Sequence, residues 1–418
     1  MLEDPVFIIT RNIYQFLIGN YEDIKGMLVK KHSVNLQTQG EFSFPNTVKS
    51  WHEYINTNTN SELKDFTLLN SIGKETMDII ITSQEWVIPI IDAKKIKDRI
   101  HIFLDRNRGV KVGLTSAIQN NNSISNKLSG NTFFSLVDKL CEGSCITSLR
   151  LKCLSDVINH LLVINSTHLP QASNIVLTSK SSNQKNYEGR LVLCGTVLNA
   201  NTSVKENALN GEDFIRLRQN ELTLIAQHKY GVRVATDTKW KEFISHLGES
   251  AVTFELLQTK PSCAVKINFD VSSGSSRGAA FILYNCARLE TIIRTYNERV
   301  NEGTYPPLPE FEKTDFTLLT QEEEWCLIFN YILGLPSLLK NCVEINDHTC
   351  DFRPHLICGF LSSMVRLISQ YYRKTRILTE PRKHLLPVMF ARLHMLKILN
   401  ETLKICLRVL NIKSVSQM

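Results

Sequence analysis

Leu386, Met389, Leu393, Leu396, Leu403, Leu407 and Leu410 recur every three or four residues, broken only at Asn400. Only a helix places that set on one stripe, and the stripe needs other helices to bury it. Those helices are present upstream. Gly278–Val300 has helical spacing and ends at Glu302-Gly303 and Pro306, Pro307 and Pro309. Thr320-Gln321-Glu322-Glu323 supplies an N-cap with acids in the first turn, opening a helix over Glu322–Leu333 that Gly334 and Pro336 should stop. A third helix is expected over Arg353–Tyr372 and a fourth over about Arg382–Leu410, with Pro387 in its first turn or at a kink. The C-terminal part therefore reads as an antiparallel helical bundle.

Charge is concentrated in the same part. From Arg353 to Met418 there are twelve Lys/Arg and only two acids, Glu380 and Glu401, whereas the whole chain carries +7. Everything before Arg353 is thus slightly acidic. A positive field this localised suits a phosphate backbone, although a solvated helix face produces charge runs too. Tyr371 and Tyr372 lie inside the basic run and are suited to stacking on bases.

The remainder reads as α/β. Ile8–Lys31 has helical spacing with polar breaks, while Glu85–Ile91 and Ile100–Leu104 have strand character. Gln119–Gly130, QNNNSISNKLSG, has the composition of a surface linker. Beyond it, Leu149–Val163 and Asp213–Tyr230 are helix candidates, the latter with Arg216, Arg218, His228 and Lys229 on its polar side, and Leu191–Leu198 is a strand candidate. Ser179–Asn186 reads as a flexible loop, and Gly274–Gly278, glycine- and serine-rich enough to hold a phosphate, reads rather as a flexible entry to the bundle. The expected domains are an N-terminal α/β module (1–118), a central core (131–270) and the helical bundle (275–418).

At 418 residues with 43% apolar and 21% charged content, the chain has an ordinary globular composition. No apolar run approaches the roughly 18 residues of a membrane span. The opening MLEDPVFIIT has acids where a secretory leader carries positive charge, so a cytoplasmic protein is expected, with room for a nuclear pool. The eleven cysteines include no CxxC pair, and Cys141-x3-Cys145-x7-Cys153 lacks zinc-site spacing. Reduced thiols and no metal are expected. Nor is there a GxGxxG, a P-loop or an HExxH, so the residues name no catalytic site and no cofactor.

Residues 391–412, ARLHMLKILNETLKICLRVLNI, resemble the closing helix of the DALR anticodon-binding domain of arginyl-tRNA synthetases. Arg392-Leu393, Thr402-Leu403, Leu407, Val409-Leu410 and Ile412 fall in register, with Asn411 where that family has glycine, a mild departure because asparagine also tolerates a left-handed C-cap. Gly278–Arg288 resembles the family's Gly-…-Tyr-x-x-Tyr-Ala-x-x-Arg helix through Tyr284, Ala287 and Arg288, with Phe281 at the first tyrosine position. The synthetase motif His-Ile-Gly-His-Leu-Arg is replaced by Cys145-Ile146-Thr147-Ser148-Leu149-Arg150, and no KMSK-like signature precedes the matching Gly211–Leu217 segment, where Lys205 is the nearest lysine. A DALR domain on a degenerate body resembles the DALR anticodon-binding domain-containing protein 3 family, with FILYNCARL and YYRKTRILTEPRKHLLPVMFARL especially close.

That resemblance implies a degenerate class I synthetase-like α/β body with a C-terminal all-α DALR bundle. It also implies a non-catalytic subunit that binds arginine tRNA by its anticodon arm. Its partner would be a methyltransferase-like protein 2 type tRNA methyltransferase that installs 3-methylcytidine at position 32. The rival expectations are an active arginyl-tRNA synthetase and a scaffold that makes protein contacts only. The residues expected to meet the tRNA are Arg288, Tyr371, Tyr372, Arg373, Lys374, Arg376, Arg382, Lys383 and Arg392. For Arg288 a contact to RNA and a pairing with a nearby acid both stand open, as do core packing and RNA contact for Tyr284.

Overall fold

The computed structural model describes residues 2–19, 27–54, 67–130, 144–165, 175–179, 190–231, 237–269, 277–346 and 350–416. Helix α1 (Pro5–Ile18) starts where Asp4 caps the Phe7 amide with proline in the first turn, and it ends at Gly19, whose φ of 70° is left-handed. The expected helix to Lys31 therefore stops there, and Lys30–Lys31 form strand β1 instead. Strands β2 (Phe42–Pro45), β3 (Ile90–Ile96) and β4 (Arg99–Leu104) complete an antiparallel sheet of order β1-β2-β4-β3. The expected strand at Glu85–Ile91 begins only at Ile90. Ser83–Glu85 is a 3-10 turn, Pro89 has no amide to give a ladder, and the Ile90 amide is taken by Ser83 Oγ at 2.8 Å.

Helix α2 spans Arg106–Ser129, so Gln119–Gly130 is not a linker and the expected boundary at 118 falls inside a helix. Composition misleads here because the amides have partners. Asn120 exchanges two hydrogen bonds with the Glu3 backbone, at 2.7 and 2.9 Å, and Asn121 donates to Thr402 Oγ1 at 3.5 Å. Gly109 and Gly113 let α2 approach the bundle closely. A Cβ at Gly109 would lie 2.6 Å from the Trp325 ring, and one at Gly113 would lie 3.0 Å from Leu333.

Helix α3 (Ile146–Asn165) follows, then β5 (Ile175–Thr178) paired in parallel with β6 (Arg190–Leu193), and β7 (Val197–Asn199) paired in parallel with β8 (Val265–Ile267). The single strand expected at Leu191–Leu198 is thus two strands in two sheets. Gly195 separates them, pressed so close to Cys263 that a Cβ would lie 2.2 Å from its carbonyl oxygen. Helices α4 (Gly211–Tyr230) and α5 (Thr238–Leu257) pack on each other. Arg218 is not on a polar face. It is fully buried, bidentate to Glu255 at 2.9 and 3.0 Å and 3.3 Å from Glu221. The side chain of Lys229, most of the Ser179–Asn186 loop and residues 274–276 lie outside the described residues.

The bundle comprises α6 (Arg277–Asn301), α7 (Glu322–Leu327), α8 (Leu335–Asn341), α9 (Pro354–Lys374) and α10 (Leu386–Val409). Gly334 and Pro336 do not stop the chain. A π-turn at Ile328–Ile332 leads through Gly334 into α8, with Pro336 in its first turn. Helix α10 starts at Leu386 rather than Arg382, and Pro387 lies in its first turn. Asn411 has φ of 57°, the left-handed cap expected of it. The larger hydrophobic core runs from Val6 to Val415, with the stripe from Met389 to Leu410 buried in it, and a smaller cluster gathers Ile146, Val197, Phe214, Val252, Leu256, Val265 and Ile267.

Between sheet strands, the His32 ring stacks on His101 with centroids 5.4 Å apart and lies 2.8 Å from Ser43 Oγ. Burial first, then His101, Lys30 and Arg99, push its pKa from 6.5 down to about 4. The unfolded chain therefore binds this proton more tightly. The stabilisation is complete above pH 6.5 and is lost as pH falls toward 4. His32→Gln, which keeps a group for Ser43, should flatten the decline of the urea midpoint between those pH values. An unchanged decline would place the acid sensitivity elsewhere.

Candidate nucleic-acid interface

Phe281, Tyr284 and Arg288 fall three and four residues apart on α6 and so share one face. Tyr372, near the end of α9, meets that face. The Arg288 guanidinium lies 4.6 Å from the ring centroids of both Tyr284 and Tyr372, a double cation–π contact. It also donates to Tyr284 Oη at 2.9 Å and to Asn285 Oδ1 at 3.3 Å. Of the two readings open for Arg288, contact to RNA and pairing with an acid, the second finds no acid partner among the described residues. The side chain is fixed by aromatic rings instead. Phe281, Tyr284 and Tyr372 remain 37%, 39% and 44% exposed, an unusual display of aromatic surface.

In the chain that follows Tyr372, Arg373, Arg376 and Lys383 are exposed, and none pairs with an acid among the described residues. Lys374 pairs with Glu323, and Arg382 lies 2.7 Å from Glu380 while both stay largely in water. Such exposed pairs are weak and readily exchanged for another anion.

Two of the expected contact residues are not on this surface. Tyr371 is 1% exposed and donates its hydroxyl to Glu324 Oε1 at 2.7 Å. Arg392 donates Nε to the same oxygen at 2.8 Å, with its side chain 13% exposed. Glu324 is wholly buried, and its Oε2 accepts the Gln321 amide at 3.0 Å. Burial, then Glu324, drive the Tyr371 hydroxyl far above the ordinary tyrosine range, which keeps it a donor. The correction has a simple cause. Neighbouring residues on a helix point about 100° apart, so one tyrosine of the pair faces inward. The basic tail is likewise no single face. Arg353 pairs with Asp351 and Glu344, Lys404 pairs with Glu290 and Glu401, and Arg408 donates to Ser129. Of the tail cations without an acid partner among the described residues, Arg373, Arg376 and Lys383 fall at the connection from α9 to α10, whereas Arg366, Lys397 and Lys413 lie elsewhere.

The synthetase-like positions lie at the start of α3. Cys145 Sγ is 3.1 Å from Ser148 Oγ. Burial pushes the Cys145 thiol up, but the Ser148 hydroxyl, the Ser148 and Thr147 amides and the Lys205 charge outweigh it and hold the pKa below the usual thiol value. Thr147 Oγ1 accepts the Val197 amide at 3.2 Å. Arg150 is fully buried and donates to the carbonyls of Gly195, Cys263 and Leu256 at 2.6, 2.8 and 3.1 Å. Each of these groups therefore has a structural task. Among the described residues, no three His, Cys, Asp or Glu side chains are placed to hold a metal ion, and no helix is long and apolar enough to cross a membrane.

The DALR anticodon binding domain family matches residues 282–418, the part that holds α6 to α10. The chain is 33% identical over 238 residues to DALR anticodon-binding domain-containing protein 3 of Danio rerio, covering 55% of this chain and 42% of that one. It is 31% identical over 245 residues to the protein of that name from Rattus norvegicus, covering 58% and 45%. These matches span less than half the length of the relatives. The arginine–tRNA ligase of Malacoplasma penetrans is 22% identical over 190 residues, covering 45% and 30%. In fold, the chain is similar to Plasmodium falciparum arginyl-tRNA synthetase, with a TM-score of 0.60 at 11% identity over 100% of both chains. Thermus thermophilus arginyl-tRNA synthetase gives 0.56 at 10% identity over 98% of this chain and 100% of that one. The architecture is therefore the synthetase-like α/β body with a C-terminal DALR bundle that the sequence resembles.

Proposed function

We propose that this chain, whose C-terminal third matches the DALR anticodon-binding domain, is a non-catalytic tRNA-binding adaptor that recognises arginine tRNAs by the anticodon arm. One observation carries the reading: Arg288 is clamped between Tyr284 and Tyr372 on an exposed face, and in the chain that follows Tyr372 the exposed Arg373, Arg376 and Lys383 pair with no acid among the described residues. The free cations offer phosphate contacts, and the exposed rings offer stacking to unpaired bases. A protein-only scaffold has no need of that combination. The finer part of the proposal is that the adaptor supports 3-methylcytidine formation at position 32 by a methyltransferase-like protein 2 type partner. Its support is the resemblance to the DALR domain-containing relatives.

The test is a titration of arginine tRNA at several salt concentrations. Arg373→Glu/Arg376→Glu/Lys383→Glu should lower the salt slope by about two to three. Tyr372→Ala should cost about 1–3 kcal/mol at every salt concentration, because stacking is not ionic. A folded triple variant with wild-type affinity and slope would remove the basis for this surface. Arginine tRNAs from cells lacking the protein should lose 3-methylcytidine, and undiminished modification would retire the methyltransferase role.

A further inference from the structure

A cleft of about 550 Å³ opens between α2 and the segment 311–317. Its α2 wall carries Asn107, Lys111 and Gln119, and the facing wall carries Phe311 and Asp315. This is within the size range of small-ligand sites, roughly 300–1,000 Å³. Resting on the reading of the bundle as an RNA-binding surface, we propose that this cleft receives one unpaired nucleotide of the bound RNA. The N-terminal module would then contribute half of a second recognition site.

Three observations carry it. First, both walls are fixed in advance. Arg106, in the first turn of α2, is held by Glu41 at 3.2 Å and Glu322 at 2.5 Å, and Gly109 is seated against the Trp325 ring. Across the cleft, Phe311 packs on Phe316 with centroids 4.7 Å apart and meets His394 edge-on. A preformed site avoids an ordering cost on binding. Second, the lining suits a base with its phosphate outside. Phe311 provides apolar surface, while the Asn107 and Gln119 amides both donate and accept. Asp315 and the neighbouring Glu312 disfavour a phosphate on that wall but accept from exocyclic amines. Lys111 and Arg108, exposed on the opposite wall and its approach, pair with no acid among the described residues. They are placed for the flanking phosphates. Third, the cleft and the basic connection share one support. The first turn of α7 binds Arg106 through Glu322 and Lys374 through Glu323, and Thr375 donates to Gln321 at 2.6 Å. Thr317, on the cleft wall, lies four residues before Gln321.

Thr115 is an exposed α2 residue that lines the cleft, so a large side chain there fills the space without entering the core. Thr115→Trp should weaken arginine tRNA binding about tenfold with the salt slope unchanged, the effect of losing one stacked base. Lys111→Glu should lower the slope by about one. Asn107→Ala/Gln119→Ala trims only exposed side chains, and it carries the same expectation as Thr115→Trp should the tryptophan variant fail to fold. Wild-type affinity in the folded cleft variants, with binding still lost in Arg373→Glu/Arg376→Glu/Lys383→Glu, would overturn the cleft and leave the bundle reading standing. Wild-type binding by both sets would overturn both. Adenosine and cytidine monophosphates titrated alone serve as the second arm. Saturable binding of either that Thr115→Trp abolishes, with tRNA binding intact, would assign the cleft to a free nucleotide and overturn the proposal.

Discussion

Glu324→Leu is expected to cost about 3–5 kcal/mol of stability, the usual penalty for removing one partner of a buried ionic cluster. The carboxylate accepts from Tyr371 Oη, Arg392 Nε and the Gln321 amide, and it is wholly buried. Leucine fills the volume but leaves a guanidinium and a phenol in the core without their acceptor. The urea midpoint should fall with little change in slope. Glu324→Gln keeps an acceptor oxygen and should lose less. The triple replacement Glu324→Leu/Tyr371→Phe/Arg392→Met removes the charge and both donors together and should recover much of the loss. If Glu324→Leu alone is as stable as wild type, the cluster does not hold the bundle. Because Tyr371 precedes Tyr372 on the same turn of α9, a loosened cluster also disorders the Tyr372–Arg288 contact. Weaker tRNA binding by the folded Glu324→Gln variant is therefore expected.

The helical bundle was legible because its signals are local. The leucine stripe, the proline at the start of α10 and the Asn411 cap depend on neighbours three or four residues away, and all three are found. Errors arose where a distant partner decides. Gln119–Gly130 looks like a loop until Glu3 and Thr402 satisfy its asparagines. Arg218 looks like a surface cation until Glu255, 37 residues on, meets it in the core. The candidate site divides in the same way. Arg373, Arg376 and Lys383 are exposed as a polar loop suggests, whereas Tyr371 and Arg392 are drawn inward by Glu324, an acid that the sequence marks only as part of a helix start. Phe281 was noted at the family's first tyrosine position but was not among the residues expected to meet the tRNA. The signal that could have marked it is its spacing from Tyr284 and Arg288, which sets two aromatic rings and a cation on one face.

Arginine-dependent ATP–pyrophosphate exchange by the purified chain should not rise above background. A helix N-terminus holds phosphates with free amides and nearby cationic donors, and loss of a single such donor from a transition state costs about a hundredfold or more. At the start of α3 the Thr147 and Ser148 amides are turned toward the Cys145 sulfur, and the Ser148 hydroxyl lies against it too. The position of the motif glycine is held by Thr147, which is 1% exposed and whose hydroxyl accepts the Val197 amide. Arg150 is spent on the Gly195, Cys263 and Leu256 carbonyls, tying the start of β7 to the end of α5. Restoring the two histidines is therefore not enough. Cys145→His/Ser148→His should remain inactive, since Thr147 still occupies the close-approach position and its bond to Val197 still fixes the turn. The same double variant should leave tRNA binding unchanged, because α3 lies outside the α6–α9 surface. Arginyl-adenylate formed by the unaltered chain would overturn the non-catalytic reading outright. Exchange activity in the double variant alone would show that the turn is still able to admit a nucleotide and that the missing imidazoles were the whole deficit.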